Sequence, residues 1–221
     1  MRDVYRCSQL EWTSTGLTDS SLSLAYLVDA DLFFGPLDPT LFPGLPSSIL
    51  VHQGFANDHA MTAQPILAAV LALLDQHKAS SVVVTGHSLG GALALLESVY
   101  LPLHLPTGTR VSTITYGMPR VGNAAFANYV DATHNINLTH VNNKEDPIPT
   151  VPGMFLDYAH PSGEVHIQDS GSWVACPGQD NPSNLCSVGD VPTVLQSNIL
   201  DHPGPYDDGI NMVTCILSNL L

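Results

Sequence analysis

The chain has 221 residues, 44% hydrophobic and 12% charged, a balance that excludes a disordered tail-like polypeptide and fits one domain spanning 1–221. Twenty Asp and Glu against six Lys and Arg give a formal net charge of −14. That charge argues against nucleic acid as a partner and against electrostatic binding to anionic membranes, so adhesion to lipid would have to be apolar.

No run of 18 apolar residues occurs, so no integral membrane segment is expected. The first residues, MRDVYRCSQLEWTSTGL, lack the apolar core of a signal peptide and contain no convincing strand. Residues 20–28 (SSLSLAYLV) fit a short helix, followed by an extended stretch through Phe33-Phe34 and a Pro-rich loop. Ile49 to Phe55 reads as a strand. Residues 58–78 read as a long amphipathic helix, with Ile66, Leu67, Val70, Leu71 and Leu74 as the buried stripe and Pro65 as a kink or first turn.

Val82-Val83-Val84 is a β-branched block suited to a strand buried on both faces, and good helix formers begin at Gly91. Arg110–Gly117 and Leu138–Asn142 read as strands, and Asn123–Val130 as a helix. Phe155–Tyr158 and Glu164–Gln168 suggest a hairpin around HPSG, and Ile210–Leu221 a terminal helix. Such alternation predicts an α/β fold, a mostly parallel sheet with helices on both faces and functional groups beyond the carboxyl ends of the strands. Cys176 and Cys186 bracket a polar loop that a disulfide would order; Cys7 and Cys215 form a candidate second bridge, free thiols being the alternative. A glycosylation sequon stands at Asn137-Leu138-Thr139, and no spacing suits a zinc site.

Between strand and helix lies Gly86-His87-Ser88-Leu89-Gly90, a G-x-S-x-G in the strand–turn–helix context of a nucleophile elbow. A turn serving packing alone is the competing reading. A serine hydroxyl needs a base, and the base a carboxylate, here in the order Ser, acid, His. Asp146 follows a strand and precedes Pro147, which makes it the preferred acid, with Glu145 as its neighbouring rival. His202, in the loop NILDHPGPYDDG, is the preferred base over His134, His140, His160 and His166. His87 is expected to point away from Ser88 in a packing or hydrogen-bonding role.

GHSLGG, YGMPRVGN, NNKEDPIPTVP and DHPGPYDD together resemble the fungal class 3 lipases, the Rhizomucor-like triacylglycerol lipases, with HPSGEVHIQDSG and CPGQDNPSNLC similar to their mushroom-type branch. The resemblance runs from about Asp29 to Cys215. It implies an α/β-hydrolase fold, secretion, a Ser88–Asp146–His202 triad cleaving esters at an oil–water interface, and an oxyanion-hole N–H from Leu89. A second oxyanion donor is expected from a G-T-x-S or G-T-D motif. STGLTDSS offers Thr18 and Asp19 but has Leu17 at the glycine position. The expected first strands are not evident, so the chain reads as shortened at its front, and residues 21–28 fall where a lid would lie.

The chemistry requires no metal and no organic cofactor, and the protein is expected to be a monomer. Two rivals stand beside the triacylglycerol lipase: a soluble-ester enzyme of feruloyl-esterase type on the same fold, and an inactive remnant with a damaged front.

Overall fold

A computed structural model of the chain describes residues 33–207 and 209–212. Its principal sheet has five strands: β3 (Ser81–His87), β4 (Arg110–Tyr116), β6 (Ile136–Asn143), β8 (Glu164–Ile167) and β9 (Trp173–Cys176), adjacent in that order. The first four are parallel and β9 runs antiparallel to β8. A smaller antiparallel sheet joins β1 (Phe34–Pro36), β2 (Leu50–His52), β5 (Gly122–Asn123) and β7 (Tyr158–Ala159).

Helix α1 (Gln53–His77) starts earlier than its periodicity suggests, because His52 caps it by accepting from the Phe55 N–H. Pro65 lies inside this helix. Its buried line is Phe55, His59 and Ala63, continued by partly buried Leu67 and Val70, whereas Leu71 is exposed. A 25-residue helix is about 37 Å long, against about 23 Å for a seven-residue strand, so its far end outruns the core. Helix α2 (Leu89–His104) carries buried Ala92, Leu95, Leu96, Val99 and Leu101, and Phe126 and Val130 of α3 (Ala124–Ala132) join the same core. Across the two long helices, His59 Nε2 meets Glu97 Oε2 at 2.8 Å. In β4, Val111, Thr113 and Thr115 are buried while Ile114 is exposed; Val83 on β3 is 63% exposed. Among the described residues β3 pairs only with β4 and forms the sheet edge.

Two further sequence expectations change, the hairpin and the start of the terminal helix. Tyr158–Ala159 and Glu164–Ile167 do not form a hairpin: the first pairs with β5, the second lies parallel to β6, with Glu164 opposite His140. The hairpin is β8–β9, turning where Gly171 takes a positive φ of 80° and its N–H bonds to the Gln168 carbonyl. The Cys176–Cys186 disulfide is formed. Cys7, Thr18, the 20–28 helix, Cys215 and all of the proposed terminal helix beyond Met212 lie outside the described residues, and Ile210–Met212 is not helical.

Candidate active site

Strand β3 ends at His87 and α2 begins at Leu89, leaving Ser88 alone at the bend with φ 56° and ψ −127°. Such a bend needs glycine on either side. A Cβ on Gly86 would lie 2.1 Å from the Gly90 carbonyl oxygen, and one on Gly91 would lie 3.1 Å from Met118 Cβ. The Ser88 N–H donates to the Tyr116 carbonyl at 2.9 Å, which ties the bend to the end of β4. Leu89 opens α2, so its N–H belongs to the first turn, whose amides have no intrahelical acceptor and sit at the positive end of the helix dipole.

Asp146 lies three residues past β6, where its own N–H bonds to the Asn143 carbonyl at 3.1 Å. One carboxylate oxygen accepts from the Ile148 N–H at 2.9 Å; the other accepts from His202 Nδ1 at 2.8 Å. The side chain is 1% exposed. Burial pushes its carboxyl above the usual range, against the opposing pull of the His202 hydrogen bond and charge. The neighbouring Glu145 contributes through its backbone instead, its carbonyl accepting from the Asn198 N–H at 2.8 Å.

His202 follows the 3-10 turn Ile199–Asp201. Its ring is oriented by Asp146, and among the described residues Nε2 is left without a hydrogen-bond partner. Its carbonyl accepts two hydrogen bonds, from His87 Nε2 at 2.8 Å and from the Tyr206 hydroxyl at 2.9 Å. Asn143 Nδ2 steadies the same turn by donating to the Asp201 carbonyl at 2.9 Å. The His87 and His202 rings lie 4.5 Å apart. Burial, and then repulsion from His202, push the His87 imidazole down to about 4, so the ring is neutral and its single proton sits on Nε2. Burial likewise holds the Tyr206 phenol above its ordinary range, keeping it a donor. Gly117, at φ +54°, closes the group. A Cβ there would meet Tyr206 Oη at 2.8 Å, Asp146 Oδ2 at 2.9 Å and His202 Cε1 at 3.0 Å.

The loop behind Asp146 is pinned by Arg120, 1% exposed, which donates to the carbonyls of Thr150 and of Pro152, the latter at 2.9 Å. Arg120 Nε also donates to Asp180 Oδ1 at 2.8 Å, and Asp180 Oδ2 accepts from the His160 N–H at 2.9 Å. Asp180 sits in the loop closed by the disulfide.

The bend bearing Ser88 and the Asp146–His202 pair therefore meet at the carboxyl edge of the parallel sheet, with the first amides of a helix alongside. Three sequence-selected residues, Ser88, Asp146 and His202, share this place with Leu89; Thr18 lies outside the described residues. Three supporting residues escaped the sequence reading: Gly117, Arg120 and Tyr206. Each stands within a quoted motif, but their partners are far along the chain. His87 packs and hydrogen-bonds as expected, its partner being the loop of His202. Among the described residues no cluster of three His, Cys, Asp or Glu side chains is placed to hold a metal ion, and no helix is long and apolar enough to cross a membrane.

The profile of the class 3 lipases matches residues 20–156. A secreted mono- and diacylglycerol lipase of Malassezia globosa is 36% identical over 193 residues, covering 86% of this chain and 61% of the relative. Another, from Gibberella zeae, is 34% identical over 178 residues, covering 77% of this chain and 56% of the relative. The chain thus spans about three fifths of the length of these curated relatives. Among solved structures, the triacylglyceride lipase of Rhizomucor miehei superposes with a TM-score of 0.73 at 30% identity, over 89% of this chain and 71% of that one. A triacylglycerol lipase whose catalytic centre is a serine protease triad superposes with a TM-score of 0.70 at 32% identity, over 89% of this chain and 71% of that one. The fold is accordingly of α/β-hydrolase type, and the chain belongs to the fungal class 3 lipase family.

Proposed function

We propose that this protein is a secreted serine ester hydrolase that cleaves acylglycerols, triacylglycerol foremost, at a lipid–water interface. The observation that carries the reading is the buried Asp146 carboxylate holding His202 Nδ1 beside the Ser88 bend, whose His87 touches the His202 ring and carbonyl. Ser88 Oγ attacks the ester carbonyl while His202 Nε2 takes its proton. Asp146 keeps the imidazole in the required tautomer and stabilises the imidazolium. The negative charge on the tetrahedral oxygen is met by the Leu89 N–H and the α2 dipole, with Thr18 as the second donor. His202 then protonates the departing glycerol hydroxyl, and water, activated by the same imidazole, releases the fatty acid.

A lipid interface is favoured over a soluble ester by the segment leading into His202. Val194, Leu195, Ile199 and Leu200 are all exposed, Leu195 at 97% and Leu200 at 76%, and no Lys or Arg occurs from Asp190 to Met212. Such a rim suits an uncharged apolar surface and has no means of gripping an anionic one.

The test is hydrolysis of emulsified triolein, diolein and p-nitrophenyl butyrate by the wild-type chain, Ser88→Ala and Asp146→Asn. Wild type is expected to hydrolyse triolein, Ser88→Ala to lose about 10⁴-fold or more, and Asp146→Asn about 10⁴-fold. Turnover of the soluble ester alone would replace the lipase reading with the esterase one. Turnover of diolein without triolein would align it with its Malassezia relatives. A folded chain inactive on all three would overturn the proposal.

A further inference from the structure

Asn137-Leu138-Thr139 is the single Asn-X-Ser/Thr triplet in the chain that proline leaves usable, since Asn181 is followed by Pro182. Its place in the fold is specific. Asn137 is the second residue of β6, the strand whose opposite end leads to Asp146. Six residues of strand separate it from Asn143, about 20 Å, so it lies at the amino edge of the sheet, away from Ser88 and His202.

Access is open there. Strand β8 joins β6 only from His140 onward, so Ile136, Asn137 and Leu138 have a sheet neighbour on the β4 side alone, with Asn137 opposite Ser112. Asn137 is exposed, and its side-chain amide makes no hydrogen bond to any described residue. Alternation along the strand puts Thr139 on the same face as Asn137, while Ile136 and Leu138 turn into the core. Beside the asparagine lies a shallow depression of about 310 Å³, lined by Val130, Asp131, Ile136, Leu138, Ser162 and Gly163. Its wall is fixed: Asp131 accepts from the Ser162 N–H and hydroxyl, both at 2.8 Å, and from Gln179 Nε2 at 2.8 Å. Gly163 packs its backbone against the Leu138 carbonyl, where a Cβ would lie 2.3 Å from that oxygen.

We propose that Asn137 is an N-glycosylation site and that the first sugar of its glycan rests over this depression, its hydroxyls toward Asp131 and Ser162. The donor is a lipid-pyrophosphate-linked oligosaccharide met on secretion. Asn137 Nδ2 forms a bond to the anomeric carbon, the bond from that carbon to the pyrophosphate oxygen breaks, the lipid pyrophosphate leaves, and the amide proton passes to the transferase. The attachment accompanies export and precedes folding. An exposed asparagine on an edge without a second strand is one that the finished fold accommodates with a glycan in place. The proposal rests on the secretion shared with the family and is independent of the catalytic reading.

The chain is exported from a yeast host behind a secretion leader and mapped by peptide mass spectrometry, with and without an amidase that removes whole glycans. The expected result is one occupied peptide containing Asn137, converted to Asp on treatment. Thr139→Ala is expected to lose it and Thr139→Ser to keep it. Exported wild-type protein with unmodified Asn137 would overturn the site. Seating of the sugar is read separately by thermal melting. Trimming to the first sugar is expected to leave Tm unchanged, and complete removal to lower it by about 2–4 °C. Equal melting after both treatments would overturn the contact with the depression.

Discussion

Ser88 adopts a positive φ that an L-residue accepts only when its neighbours force it, at a cost of about 1–3 kcal/mol. Glycine has no such penalty. Ser88→Gly is therefore expected to be more stable than Ser88→Ala by about 1 kcal/mol in urea denaturation, although both are inactive; equal midpoints would mean the bend is not strained. His87 makes a second residue-scale case. Its imidazole titrates near 4 when folded and near 6.5 when unfolded. Above pH 6.5 both states are neutral, and stability from this group is intact. As pH falls from 6.5 to about 4 the unfolded chain takes the proton first, so the native state loses on the order of 3 kcal/mol. Asp146 works in the opposite sense: burial raises its folded value, so its contribution is present in acid and is lost as pH rises through that value. A comparison isolates His87: between pH 7 and 4 the wild type is expected to lose about 3 kcal/mol more than His87→Gln, and parallel losses would refute this. The candidate set Ser88, Asp146 and His202 was legible because a local motif and a rule of chain order select it. The partner of His87 was not, because it is a backbone carbonyl 115 residues away, and a carbonyl leaves no mark in the side-chain sequence.

The loop from Cys176 to Cys186 is closed by a disulfide and reaches the ground behind Asp146. It presents Asp180 to Arg120, and Arg120 in turn grips the Thr150 and Pro152 carbonyls behind Asp146. Closing ten residues of separation by a disulfide restricts the unfolded chain and contributes about 3 kcal/mol. Replacing both cysteines by alanine is expected to lower unfolding free energy by that amount and to reduce kcat with KM nearly unchanged, because the Asp146 loop loosens rather than the acyl-binding surface. A variant with full kcat would show that Asp180 holds Arg120 without the staple. The sequence suggested the disulfide but misread the strands before it. Glu164–Ile167 sits close to Tyr158 along the chain, which suggests a hairpin, yet its partners are β6 and β9. Strand pairing is decided by which edges the assembled sheet offers, and local pattern does not report that.

On the scale of the whole molecule, the reactive groups and the apolar segment 194–200 lie toward one end of the parallel strands and Asn137 toward the other. Net charge and exposed leucines act together here, since a −14 chain can approach uncharged lipid but gains nothing from an anionic surface. Leu195→Asp combined with Leu200→Asp is expected to cut hydrolysis of emulsified triolein by about 10-fold or more while leaving p-nitrophenyl butyrate within about two-fold. An equal fall on both substrates would place these leucines in folding or chemistry instead of adhesion. The alternation of strands and helices made the parallel sheet legible in advance; the location of a rim residue on an irregular turn had no periodicity to announce it. The doubly bonded carbonyl of His202 belongs to this scale too. Its two donors, His87 and Tyr206, lie 119 positions apart, so the pivot of the imidazole is stationed by the assembled fold and not by its own loop. The ring retains two side-chain torsions as its degrees of freedom, and the Asp146 contact restrains both. In the proposed mechanism little reorganisation remains for the instant of proton transfer, because the ordering was completed when the chain folded.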